Sequence, residues 1–176
     1  GLELPIMVLN ADVGDYPLCV ANELEPVVHR VVDLRRATLM GLRVHLEIDT
    51  GMARLGFQPT ALDKLLSELK TDNAYHAIAT VFTHLAASEA AELDDFTHRQ
   101  LMLFMATYDR IANILPAPPA RHVLNSNGIS RFAEYAYEFV RLGIGLYGIG
   151  DATRKEELRP ALRLLTHITR VYERPT

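Results

Sequence analysis

With 176 residues, 49% of them hydrophobic and 23% charged, the chain has the composition of an ordinary globular protein rather than a disordered or fibrous one. Its formal net charge of −4 argues against nucleic acid as a partner, because phosphate binding needs Lys and Arg clustered on a net basic face. No apolar run reaches the roughly 18 residues that span a bilayer and no basic, signal-like stretch opens the chain, so no membrane partner is expected and the cytoplasm is the default compartment.

Ile6 to Leu9 reads as a first short strand. Cys19, the only cysteine, can form neither an internal disulfide nor a cysteine metal cluster and reads as a small buried hydrophobe. Val27 to His29 and Val44 to Ile48 are the next strand candidates. From Thr60 to Lys70, Leu62, Leu65, Leu66 and Leu69 recur at helical spacing. Ala77 to Phe82 returns to strand character. A longer helix is predicted over Asp94 to Leu115, with Glu92, Asp94 and Asp95 near its N-terminus, Pro116 stopping it, and a core-facing stripe of Leu101, Phe104, Met105, Tyr108 and Ile111. Ala117, Pro118 and Pro119 make a short stiff loop before strand candidates at His122 to Leu124 and Phe139 to Val140. Short apolar runs alternating with amphipathic stretches predict a parallel sheet covered by helices.

After Gly150 the pattern changes. A charged segment, Asp151 to Arg159, leads into Leu162 to Val171, which alternates like an antiparallel strand, so the expected division is a barrel-type unit over 1–150 and the start of a β-domain over 151–176. A complete eight-unit barrel takes roughly 250 residues. With no initial Met and both ends falling in or beside elements, the chain is expected to be an internal piece of a longer protein.

Four segments carry the chemistry: VHLEIDTGMARLGF over Val44 to Phe57, FTHLAAS over Phe82 to Ser88, HVLNSNG over His122 to Gly128, and VRLGIGLYG over Val140 to Gly148. In this order they strongly resemble alanine racemase, from about its third barrel strand to the approach to its C-terminal β-domain. The resemblance implies a partial TIM-like (β/α)8 barrel lacking its first strands, with about six of the eight present. It also implies pyridoxal 5'-phosphate held at the C-terminal strand ends, L- and D-alanine as substrates, D-alanine supplied for cell-wall peptidoglycan, and a homodimeric parent.

Residue by residue, Arg141 matches the family arginine that faces the pyridine nitrogen; a group that keeps its proton leaves that nitrogen largely unprotonated and favours reprotonation over side reactions. Gly143 and Ile144 match backbone amides at the cofactor phosphate, where glycine permits close approach, and Ser126 adds a hydroxyl. His84 matches a residue supporting the arginine and the ring, and Asn125 one lying near the cofactor. Arg54 matches the arginine at the cofactor's phenolic oxygen and the substrate carboxylate, a task for a planar, permanently charged fork. Glu47 departs from the pattern: many members carry a lysine there, often carbamylated, and a glutamate paired directly with Arg54 would keep the negative charge without that modification.

His29, His45, His76, His98, His122 and His167 receive no role, and no His, Asp and Glu spacing suggests a metal. The resemblance requires a lysine to hold the cofactor and a partner-subunit tyrosine as the opposing base. Lys64, Lys70 and Lys155 are not placed for the first, nor Tyr147 for the second, so this chain alone is expected to be inactive. A broader amino-acid racemase and a non-catalytic racemase-like binding module of a larger fusion stay open as alternatives.

Overall fold

Each of the first four strands is followed by a segment containing a helix that brings the chain back to start the next strand in the same direction. The computed structural model describes residues 4–71, 74–150, 158–160, 162, 163, 165–167, 170 and 171. Its order is β1 (Ile6–Val8), α1 (Tyr16–Ala21), β2 (Leu24–Val28), α2 (Val31–Leu39), β3 (Val44–Glu47), α3 (Leu62–Thr71), β4 (Ile78–Phe82), α4 (Asp94–Ala112), β5 (Ala120–His122) and α5 (Ser126–Arg131), with short 3-10 turns between them. All strand pairs are parallel and the sheet order equals the chain order. Winding in one direction without a reversal is how a barrel grows, whereas a doubly wound sheet turns back at a switch point. The described sheet is a curled half-barrel, the partial TIM-like fold the sequence predicts.

The core lies between the sheet and its helices. Val28, Val44, Leu46, Ile48 and Val81 from the strand segments meet Leu34 of α2, Leu65 and Leu69 of α3, and Leu101, Phe104 and Ile111 of α4, all fully buried. Leu46 is the kind of side chain whose truncation to alanine costs about 2–5 kcal/mol. Cys19 is a free, buried thiol in α1, packed as a hydrophobe.

Most boundaries differ from the sequence reading by one or two residues, and three differences are informative. β2 begins at Leu24 and carries Pro26 inside it, where a residue without an N–H reads as a strand boundary. β5 begins at Ala120 and ends at His122, because beyond that point strand-type pairing is replaced by contacts to Arg141: its N–H donates to Leu124 O and its guanidinium to Val123 O. Phe139–Val140 is no strand. Phe139 N–H reaches Arg121 O and Arg141 N–H reaches Leu124 O, two residues on one side against three on the other, so no regular ladder forms. The helix predicted to Leu115 stops at Ala112, although Ile114 and Leu115 still pack on the core. The expected strand over 162–171 falls partly outside the described residues; those described there carry no assigned element.

Candidate active site

At the C-terminal ends of the strands lies a cavity of about 630 Å³ whose walls include Glu47, Arg54, His84, Asn125, Ser126, Arg141, Gly143 and Ile144. These are the eight residues singled out in the sequence, drawn from four separate segments. Leu9 and Asn10 after β1, with Leu55 and Phe82, complete much of the remaining wall.

The loop that delivers Arg54 is pinned by Asp49. Its carboxylate accepts from the N–H groups of Gly51 and Ala53, each at 3.0 Å, and from Gln58 Nε2 at 2.7 Å. Burial opposes ionisation of Asp49, but these donors outweigh it and hold the carboxyl below its ordinary range. Phe57 closes the loop by donating to Glu47 O and accepting from Asp49 N–H. Gly56, at φ +111, permits the closure, since a Cβ there would stand 2.7 Å from Asp49 N.

Glu47 points into the interior at 5% exposure. Burial raises its carboxyl above the usual range, and the positive charges of Arg54 and then Arg141 pull it back. The ring of His29 approaches it, with Nδ1 3.4 Å from Glu47 Oε2, but burial lowers the pKa of that ring and the two make no hydrogen bond. The direct Glu47–Arg54 pair expected from the sequence is absent from the ion pairs of the described residues, so Arg54 acts on Glu47 through its field and not through contact.

Arg141 is held by its surroundings. Nη1 donates to His122 Nδ1 at 2.5 Å and His122 O at 3.0 Å; Nη2 donates to Thr83 O at 2.7 Å and Val123 O at 3.3 Å. Its guanidinium also lies over the Phe82 ring, 4.9 Å from the centroid. Burial pushes its pKa down to about 10, countered by Glu47, so it remains a cation at neutral pH. Four of the five guanidinium N–H bonds are thereby used, and Nε–H has no partner among the described residues.

His84 lies on the same wall with its pKa brought down to about 4, by burial first and then by Arg141 and Arg54, so the ring is neutral. The hydrogen bond that supports Arg141 comes from His122, not from His84. Asn125 caps α5: its Oδ1 accepts from Gly128 N–H at 2.9 Å and Ser88 Oγ at 2.7 Å, while Nδ2 donates to Leu85 O. Its polar atoms hold the wall together and set the position of Ser126. Ser126 Oγ accepts from Gly143 N–H at 3.0 Å and Gly145 N–H at 3.1 Å, which leaves its own hydrogen to donate.

Sequence reasoning missed His122, together with His29, Leu9 and Asn10. A usable signal was the two-residue period of the strands: His45 shares a face of β3 with Glu47, and Thr80 shares one of β4 with Phe82, so inward-facing polar residues could have been grouped. Among the described residues no cluster of His, Cys, Asp and Glu could hold a metal ion, and no helix is long and apolar enough to cross a membrane.

A singly wound parallel sheet with a cationic, glycine-lined cavity at its strand ends places the chain among TIM-type β/α barrels. The alanine racemase N-terminal domain family matches residues 1–151. Alanine racemase of Sorangium cellulosum is 30% identical over 180 residues, covering 96% of this chain and 47% of that protein. The enzyme of Symbiobacterium thermophilum is 35% identical over 130 residues, covering 72% and 34%. In structure, alanine racemase from Corynebacterium glutamicum superposes with a TM-score of 0.78 at 21% identity, over 92% of this chain and 46% of that one. The chain belongs to the alanine racemase family. It spans less than half the length of these relatives.

Proposed function

We propose that the cavity binds pyridoxal 5'-phosphate and that the protein carrying this chain interconverts L- and D-alanine, the source of D-alanine for peptidoglycan. The observation that carries this reading is Arg141: a cation fixed by four hydrogen bonds, with one N–H left over, in the wall of a cavity large enough for a cofactor. The described residues fit the group. Ser126 keeps a hydroxyl hydrogen for a phosphate oxygen, Ile144 N–H has no partner among the described residues, and a Cβ placed on Gly143 would find only Ser126 Oγ, at 4.0 Å, so an anion can come close.

When bound, pyridoxal phosphate supplies the electron sink that makes an amino acid's α-proton removable. Everything else is the work of the chain's side chains. Arg141 offers a donor that stays protonated and gives up no proton. Arg54 faces the same cavity and is the group to receive a substrate carboxylate, while Glu47 keeps the local charge from becoming wholly positive. No lysine lines the cavity among the described residues, so the chain's share is binding and orientation, with proton transfer at the α-carbon assigned to other groups. Dimeric assembly and a cytoplasmic location belong to the same proposal.

Titrating pyridoxal phosphate into the full-length protein, with absorbance and alanine turnover as readouts, tests it. Arg141→Ala is expected to weaken cofactor binding about tenfold or more, the scale of losing a charge-assisted hydrogen bond. Cofactor binding and turnover both unchanged in that variant would overturn the assignment.

A further inference from the structure

A line of buried polar groups crosses the barrel interior from the opposite end of the strands to the cavity. Arg43, just before β3, is largely exposed and pairs with Glu25 at 3.0 Å. Glu25 Oε2 lies 3.1 Å from His45 Nε2, within contact distance although outside hydrogen-bond alignment. His45 Nδ1 is 2.8 Å from Thr80 Oγ1, which is 2.8 Å from His122 Nε2, and His122 Nδ1 meets Arg141 Nη1. The strand register aligns them: His45 pairs with Thr80 and Phe82 with His122, whose ring stacks on Phe82 at 4.7 Å.

The proton positions follow from the two ends. A guanidinium has donors and no acceptor, so His122 Nδ1 must accept, and a neutral ring then carries its hydrogen on Nε2. That hydrogen faces Thr80 Oγ1, which accepts it. At the far end a carboxylate has only acceptors, so His45 carries its hydrogen on Nε2, facing Glu25, and its Nδ1 is free to accept the one hydrogen Thr80 has to give. Every joint is consistent with a single direction, and the middle is filled by a hydroxyl, which donates and accepts at one atom. Thr80, His45 and His122 are at most 6% exposed, so water has little access to substitute for any of them.

We propose that Thr80 is the joint of a one-directional relay, Arg141 to His122 to Thr80 to His45 to Glu25, which locks both histidines as Nε2–H tautomers and thereby positions the guanidinium of Arg141 in the cavity wall. Thr80 is a positioning residue: it touches nothing in the cavity, and acts through His122. The relay needs no cofactor to exist, so it stands apart from the proposed function while explaining how Arg141 would be held for it.

The test is nitrogen NMR of the full-length protein labelled with 15N in histidine, at neutral pH without cofactor, comparing the wild type with Thr80→Val and Thr80→Ser. The wild type is expected to show His45 and His122 each with a pyridine-like Nδ1 and a protonated Nε2. Thr80→Val keeps the shape but loses the hydroxyl, and should shift the ring signals of both histidines and lose protection of the His122 Nε2 proton; Thr80→Ser should restore both. An Nδ1–H or doubly protonated form of either ring in the wild type overturns the relay, as does a valine variant in which only one ring responds. Should the valine variant not fold, the wild-type and serine spectra decide, because the serine variant must reproduce both tautomers. Pyridoxal phosphate added to the same wild-type sample reads the cavity separately: the expected tautomers with no cofactor binding would remove the proposed function and leave the relay intact.

Discussion

Asp49 illustrates how much one carboxylate can organise. It is not part of the cavity's lining, yet its three donors fix the turn that carries Arg54. Replacing it with alanine leaves two backbone N–H groups and an amide without partners, so Asp49→Ala is expected to destabilise the fold by about 1–3 kcal/mol in urea unfolding. The same variant should raise the KM for alanine more than it lowers kcat, because it loosens Arg54; a kcat loss with unchanged KM would count against that account. The sequence made the Asp49-Thr50-Gly51 turn legible, since a short acidic side chain before glycine is turn chemistry. Glu47 was legible as a negative charge set against Arg54 but not in its surroundings, because His29 approaches from the neighbouring strand's end and no local spacing reports it.

Among the elements, the 48–57 loop shows where backbone geometry dictates residue choice. Ala53 holds φ +55, a conformation that costs an L-residue roughly 1 kcal/mol, whereas Gly56 occupies space no side chain can share. Ala53→Gly is therefore expected to be neutral or mildly stabilising and Gly56→Ala clearly destabilising, an opposite pair readable from thermal unfolding of the two variants. Equal effects of the same sign would refute the strain argument. The helices α3 and α4 were legible because leucines at helical spacing are a local signal. Short strands were less so: β2 and β5 are offset by two or three residues from their predicted starts, since their limits are set by neighbours and by Arg141, none of which is local in sequence. The strand period marks members of the relay as inward-facing, but which of them meet at Thr80 was not legible for the same reason, the partners lying 35 and 42 residues apart.

At the scale of the whole molecule, the interior is rich in histidines that the fold keeps unprotonated. Burial and neighbouring cations bring His84 down to about 4 and His122 to about 3, and burial lowers His29 and His45 as well, all from an ordinary value of 6.5. The sign follows directly. Below 6.5 the unfolded chain takes up protons that the folded chain refuses, so their contribution is complete above that value and is lost as pH falls towards 3. The urea midpoint should therefore drop between about pH 7 and about pH 5, where most carboxylates have yet to titrate. A midpoint that stays level across that range would show that these rings are not held neutral.

Arg141 takes three main-chain oxygens at the ends of β4 and β5, those of Thr83, His122 and Val123. A neighbouring strand would have offered amide hydrogens to such oxygens; here a side chain stands in for it. β5 is the last strand of the described sheet, and the unpaired side of such a strand is a template on which another copy of a chain can dock, so the group that shapes the cavity also occupies backbone acceptors at the end of that strand. The shape of the cavity wall and the exposure of the strand ends are thus tied to one guanidinium, and Arg141→Ala is expected to lower the solubility of the protein as well as to loosen that wall.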